Sequence, residues 1–370
     1  GYTCGGAYAF PQADGASIGA YTNRPIGSAY RGFGMQEIHW ALEQQIDLVA
    51  AEIGMDPTEL RLRNCLGPGK ATVTGQVLDE HAGRVDACIG RVAERLAAGA
   101  RPRGAAGGRV ARGRGLACAV KAPAMPNNAA SSVVMKFAED ATLEILISGI
   151  DYGQGLMTVA AQFAAEALDL PPERIRVRGH PDTDLSPYDW QTVASRQTWA
   201  TGNAVLRAAD KLRDQLFGMA ARALEVPVEQ LRLADQAVSD RGSGRSIPLT
   251  ELVMGYQYPD GHTIGGPVAA AASFVPEGLI NIHPETGQSP RPVAKWTFGA
   301  QGVEIAVDTE TGQIDVERVV ACYDVGRVVH PAMIRGQTYG GIVQGLGTGT
   351  MEELLVDRDS GRVINASMMD

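Results

Sequence analysis

The sequence has no run approaching the ~18 uninterrupted apolar residues that a membrane-spanning helix needs, and no signal-peptide pattern at its start. It has no excess of basic charge: 33 Lys and Arg face 42 Asp and Glu, a net charge of −9, which argues against general nucleic-acid binding. Its five cysteines (Cys4, Cys65, Cys88, Cys118 and Cys322) form no C-x-x-C pair, and no histidine stands at ligand spacing from any of them. A protein-borne metal or iron–sulfur site is therefore not expected. The odd, scattered set reads instead as buried thiols in a reducing, cytoplasmic compartment. The phosphate-binding G-x-x-x-x-G-K-[ST] and the nucleophile elbow G-x-S-x-G are both missing. Gly345, Gly347 and Gly349 alternate without the G-x-G-x-x-G spacing, so a dinucleotide fold of the Rossmann kind is a poor reading. The six histidines are dispersed, and His39 and His330 read as packing or capping residues.

What is abundant is glycine, 45 of 370 residues or about 12% against a usual ~7%. Many of these glycines stand in short runs, a pattern that suits backbone approaching a ligand or tight helix packing. Apolar spacing predicts a helix from Met35 to about Ile53, a short one opened by Asp56-Pro57 as cap and first residue, and a third from Arg84 to Ala98. Residues 100–115 carry Arg101, Arg103, Arg109, Arg112 and Arg114 among small residues and read as a flexible linker, in preference to an RNA-binding segment. Beyond it, strands are expected at Ser132–Phe137, Thr142–Ile147 and Arg174–Arg178, with helices at Leu156–Leu168 and Ala204–Leu224. A hairpin of Val303–Val307 with Ile314–Tyr323 follows, and a glycine-rich helix starts at Pro331. The mixture indicates an α+β fold with mixed sheets and flanking helices. The expected division is 1–99, a linker at 100–115, and 116–370.

Three glycine-bearing loops precede predicted helices: Arg31-Gly32-Phe33-Gly34, Gly153-Gln154-Gly155, and Ala194-Ser195-Arg196 ahead of Gly202-Asn203. A fourth, Gly340 to Gly347 with Gln344, lies inside the last helix. Helix N-termini offer free N–H groups and partial positive charge, and glycine lets backbone come close. Taken together, these loops would suit an anionic cofactor rich in hydrogen-bonding groups; each alone is more often a turn. Asp182, Asp184 and Asp189 crowd one loop and read as turn formers.

Six ordered stretches then resemble the xanthine dehydrogenase and aldehyde oxidase family of molybdenum hydroxylases: residues 21–37, 55–64, 149–168, 182–205, 296–314 and 324–347, including YRGFGMQE, GIDYGQGL, TVASRQTW and GQTYGGIVQGLG. The resemblance implies the molybdenum-cofactor-binding domains of that family. Arg31, Gly32 and Gly34 would lie at the pterin side, and Phe33 would be an aromatic plate against the substrate. Gly153, Gln154, Gly155, Ala194, Ser195 and Arg196 would contact the phosphate and dinucleotide portion, with Gln344 near the pterin. Molybdenum would be held by the cofactor, molybdopterin cytosine dinucleotide, with no protein ligand.

Further implications of the resemblance are hydroxylation of an N-heteroaromatic (purine- or nicotinate-like) or aldehyde substrate with water as oxygen source. The segment GQVLDEHAG (75–83) leans the reading towards the heterocycle. Partners would be an iron–sulfur subunit, an FAD subunit and a further molybdopterin-binding chain. The family's glutamate base follows the Gln344 motif in a Gly-Glu loop that this sequence does not contain, and Glu352 and Glu353 read as exposed helix residues. Tyr339 stands where the family often has an acidic residue or histidine. The start at Gly1 suggests a processed product or a fragment. The alternative reading is a non-catalytic cofactor-binding scaffold.

Overall fold

The periodic apolar stretch after Gly34 forms a helix, as its spacing predicts, from Met35 to Glu52 (α1). Asp56 then caps a second helix, Pro57–Asn64 (α2), by accepting from the N–H groups of Thr58 (2.8 Å) and Glu59 (3.0 Å). The third helix is Val85–Ala98 (α3), whose buried face is Val85, Cys88, Ile89, Val92 and Leu96. The computed structural model describes residues 2–25, 27, 29–99, 108–123 and 125–367. Two compact units divide the chain: Gly1–Ala124 with Ile280–Asp370, and Met125–Leu279. That division does not follow the boundary expected from the sequence.

The difference has a physical cause in the segment read as a linker. Residues 100–107, with Arg101 and Arg103, lie outside the described residues, but Val110–Lys121 is a strand (β1). Arg109, Arg112 and Arg114 are paired with Asp308, Glu317 and Glu304, so these arginines are neither a loose tether nor a nucleic-acid surface.

In the second unit, Ser131–Phe137 (β2) and Leu143–Ile147 (β3) pair antiparallel, and both bury every second residue as strands with one core face must. Leu156–Leu168 (α4) carries the chain over to Ile175–Arg178 (β4), which lies parallel to β3; a parallel pair requires such a crossover. The long helix begins at Gln197 and ends at Leu224 (α5), so Gly202-Asn203 stand inside it and not before it. A Cβ at Gly202 would sit 2.7 Å from the Phe163 ring, so this glycine is what lets α4 approach. Smaller elements follow: Leu231–Ala234 (β5), Ala237–Asp240 (β6), Ser246–Pro248 (β7), Leu249–Leu252 (α6), Tyr256–Gln257 (β8) and Thr263–Ile264 (β9). Ala269–Phe274 (β10) completes a four-stranded sheet of order β10-β2-β3-β4. Its core is Val133, Met135, Leu143, Ile145 and Ile147 against Ala204, Ala208, Leu212 and Leu216 of α5.

The chain then returns to the first unit. Thr297–Asp308 (β11) pairs antiparallel with β1 along its whole length and with Ile314–Asp324 (β12) on its other side, with a register shift between Glu304 and Ile305. The hairpin is thus longer than its apolar pattern suggests. Pro331–Thr350 is the last helix (α7), capped by His330, whose Nδ1 accepts from the Met333 N–H at 3.2 Å. Glu352 and Glu353 follow the helix end, correcting their reading as helix residues, although both are exposed. Cys65, Cys88 and Cys118 are buried as expected, and Cys4 is not.

One buried ionic cluster ties this unit together. Glu43 of α1 accepts from Tyr8 Oη (2.6 Å), Arg61 Nε (2.8 Å) and the Cys118 N–H (2.9 Å), while Arg61 also reaches Asp47 (2.7 Å). Burial together with the Cys118 and Glu43 charges drives the Tyr8 phenol far above its ordinary range, so it remains a neutral donor.

Candidate functional site

The loop into α1 is strained where the sequence singles it out. Gly32 (φ 104), Phe33 (φ 58) and Gly34 (φ 85) are three consecutive left-handed residues, of which only Phe33 has a Cβ to clash. A non-glycine residue held there costs of order 1–3 kcal/mol, and such strain concentrates at functional positions. The backbone closes through Phe33 N–H to Tyr30 O (2.8 Å), and the aromatic ring is left 75% exposed. No side chain caps the α1 N-terminus.

Arg31 reaches across 313 residues of sequence to the last helix. Its Nη1 donates to Gln344 Oε1 (3.2 Å), and its Nη2 donates to both Gln337 O (2.8 Å) and Gln337 Oε1 (3.0 Å). Two residues picked from separate motifs are therefore in direct contact, and Gln337 joins them unforeseen. The signal for Gln337 was its one-turn offset from Tyr339-Gly340-Gly341, on the N-terminal side of the glycine run. The glycines do not exist to admit Arg31: Cβ atoms at Gly340 and Gly341 would stand 3.6 and 3.5 Å from its guanidinium, ordinary contact distances.

One turn into α1, Gln36 Oε1 and His39 Nε2 are buried with no hydrogen-bond partner among the described residues. Burial lowers His39 to about 4, so the ring is neutral at pH 7. Unpaired buried polar atoms are uncommon and costly, and Gln36 stands against the strained loop, its Oε1 2.5 Å from where a Cβ on Gly32 would lie. A cation, two carboxamides and orphaned polar atoms form a donor and acceptor set that fits a polar, anionic organic group. Among the described residues no three His, Cys, Asp or Glu side chains are grouped to hold a metal ion.

In the second unit, the Gly153-Gln154-Gly155 and Ala194-Ser195-Arg196 loops are wired to one another. Ile150 N–H donates to Thr192 Oγ1 (2.7 Å), which also accepts from Gln197 Nε2 (3.2 Å). Gln197 in turn donates to Asp189 (2.9 Å), and Thr201 donates to Gln197. Arg196 is fully buried: its Nη1 meets Asp189 (3.1 Å) and Gln191 O (2.9 Å), and its Nη2 meets Ala129 O (3.2 Å) and Ser131 Oγ (2.9 Å). Burial pulls this guanidinium below its usual value, against the opposing charge of Asp189. Both terminal nitrogens of the side chain are thus taken up by the interior, while its Nε has no partner among the described residues. Asp189, read from the sequence as a turn former, is its counter-ion and also accepts from Ser131 Oγ (2.5 Å). Ala194 (φ 56) and Ser195 (φ 55) are left-handed, and Ser195 is exposed at the bend.

Comparison with known proteins gives this arrangement its class. Residues 1–65 and 90–370 match two families, each described as a molybdopterin cofactor-binding domain. The chain belongs to the molybdopterin-binding subunits of the xanthine dehydrogenase and aldehyde oxidase family, and its α+β fold is theirs. Among its relatives is a putative xanthine dehydrogenase molybdenum-binding subunit of Escherichia coli, 28% identical over 98% of this chain and 47% of the relative. Another is the gamma subunit of the 6-hydroxypseudooxynicotine dehydrogenase complex of Paenarthrobacter nicotinovorans, 30% identical over 99% of this chain and 45% of that one. Quinoline 2-oxidoreductase from Pseudomonas putida 86 shares the fold with a TM-score of 0.77 at 23% identity, over 92% of this chain and 44% of that one. The chain spans about half the length of the curated relatives it matches.

Proposed function

We propose that this chain is the cofactor-cradling part of a molybdenum hydroxylase that oxidises an N-heteroaromatic or aldehyde substrate with water as the oxygen source. The observation that carries the reading is the Arg31–Gln337–Gln344 junction beside the exposed, strained Phe33. Arg31 would hold the pterin side of the cofactor with Gln344 and Gln337 aligned by it, and the Phe33 ring offers a face on which a flat heteroaromatic ring stacks, worth about 0.5–1.5 kcal/mol beyond its buried area. When bound, the cofactor supplies the redox chemistry and the oxygen transfer; the protein's part is orientation and electrostatics. Several relatives are named for N-heterocyclic compounds, nicotine and hypoxanthine among them, which supports the heteroaromatic class over the aldehyde.

The cofactor form we propose is molybdopterin cytosine dinucleotide, with the second-unit loops holding its distal portion. Electrons would leave through an iron–sulfur subunit and an FAD subunit, since the chain's cysteines offer no cluster pattern. No helix among the described residues is long and apolar enough to cross a membrane, and we place the complex in the cytoplasm.

The test is elemental molybdenum per chain in the native complex, with the nucleotide released by mild acid. Near-stoichiometric molybdenum and CMP support the full reading. Molybdenum without a nucleotide retains the enzyme and replaces the dinucleotide. Neither molybdenum nor pterin, with all partner chains present, refutes it in favour of a non-catalytic scaffold.

A further inference from the structure

The Gly153-Gln154-Gly155 loop does not offer its helix N-terminus to an anion, because the chain has already placed one there. Asp151 Oδ1 accepts from the N–H groups of Gly153 (2.9 Å) and Gly155 (3.1 Å), and its Oδ2 accepts from Met157 N–H (3.2 Å). These are the donors that a phosphate at the start of α4 would use. Burial pulls the Asp151 carboxyl upward, but the backbone N–H groups of Gly155, Gly153, Met157 and Leu156 outweigh it and hold the group below the ordinary carboxylate range. The carboxylate is therefore ionised across the neutral range and completes the loop as an internal anion.

Gln154 is held in the same way. Its Oε1 accepts from Tyr152 N–H (2.5 Å) and its Nε2 donates to Ile150 O (2.8 Å), which leaves one carbonyl lone pair and one amide proton for a ligand. Ile150 N–H is in turn bound by Thr192, so the loop's shape is shared with the Ala194–Arg196 bend. Gly153 (φ 104) and Gly155 (φ 85) take the turn that brings both N–H groups onto a single carboxylate.

Resting on the proposed cofactor role of this loop, we propose that Asp151 is its positioning residue. Its carboxylate fills the anion place at the α4 N-terminus, and the loop meets a neutral, hydrogen-bonding portion of the cofactor through Gln154 and its outer backbone, not a phosphate.

The experiment compares the native complex with Asp151→Ala and Asp151→Asn forms, following amide hydrogen exchange at residues 153–157 and the rate at which molybdenum is lost. In Asp151→Ala, exchange at Gly153, Gly155 and Met157 rises about tenfold or more, as loss of charge-assisted bonds requires, and molybdenum loss accelerates with it. Added formate, a carboxylate small enough to take the vacated place, restores both. In Asp151→Asn the amide nitrogen faces the Met157 N–H, so that variant loses part of its protection and does not respond to formate. Wild-type exchange in Asp151→Ala, or rescue of both variants alike, overturns the proposal. Its failure is distinct from that of the functional reading: a wild-type complex without molybdenum removes the cofactor, whereas unchanged exchange removes the role of Asp151 whatever the complex contains.

Discussion

Replacing Arg31 by lysine isolates the one contact that joins the two ends of the first unit's site. The guanidinium makes three hydrogen bonds from two nitrogens, one to Gln344 and two to Gln337. A lysine ammonium keeps the charge but is a single point, and it cannot span both glutamines. About two of the three bonds are lost. Arg31 is exposed, so each bond is worth nearer the ~0.5–1 kcal/mol of a screened interaction than the larger value of a buried one. The expected loss is thus about 1–2 kcal/mol, or roughly 5- to 30-fold in cofactor affinity. The assay is the rate of molybdenum release from the purified complex under a chelator, alongside its thermal unfolding. Arg31→Lys should release faster by that factor and Arg31→Met faster still, with the unfolding temperature lowered in both because the lost bonds are also contacts within the chain. Release at the wild-type rate in both variants would refute the idea that the Arg31 junction faces the cofactor, leaving it a helix-to-loop clasp.

Three further outcomes follow from the same geometry. Glu43→Gln leaves Arg61 buried against a neutral side chain and should cost about 3–5 kcal/mol, read as a lower urea midpoint; a loss under ~1 kcal/mol would mean that Asp47 alone suffices for Arg61. Arg196→Met leaves the buried Asp189 carboxylate, which also accepts from Ser131 and Gln197, without its counter-ion and should destabilise the second unit by a similar amount, whereas no change in unfolding would show the pair to be dispensable. His39 titrates near 4 in the folded chain against 6.5 unfolded. The unfolded state therefore binds the extra proton between those values, and stability rises with pH across that window and is lost on acidification, by about 3 kcal/mol at most. His39→Gln should flatten urea midpoints measured between pH 4 and 7, and a wild-type slope retained in that variant would place the titration elsewhere.

Local signals made much of this legible in the sequence. Leu156–Leu168 has the periodicity of a helix and nothing to interrupt it, and Asp56-Pro57 announces a cap whose side chain is found bonded to the next turn. The segment 110–115 was not legible, because its arginines and small residues lack the β-branched pattern of a strand and its partner, β11, lies about 190 residues further on. Tertiary pairing overrides weak propensity there. The start of α5 was hidden for a related reason: Gly202 looks like a boundary until the Phe163 ring is seen to need its missing Cβ. At the site, Arg31 and Gln344 come from separate motifs, and the hydrogen bond between them appears only in the folded chain. The distinction between side chains facing out and side chains holding the loop from within was not visible, so Asp189 read as a turn former although it is the counter-ion of the buried Arg196, and Asp151 and Gln337 drew no reading at all.

The composition of α7 bears on how firmly it stays wound. Six of its residues, Gly336, Gly340, Gly341, Gly345, Gly347 and Gly349, are glycines, only Gly347 is buried, and Tyr339 and Val343 are 62% and 67% exposed. Each glycine weakens an isolated helix by about 1 kcal/mol relative to alanine, so α7 has little intrinsic reason to stay wound. Its winding therefore rests on tertiary contacts such as the Arg31 bonds to Gln337 and Gln344, and its backbone amides should be among the first of this unit to exchange with solvent.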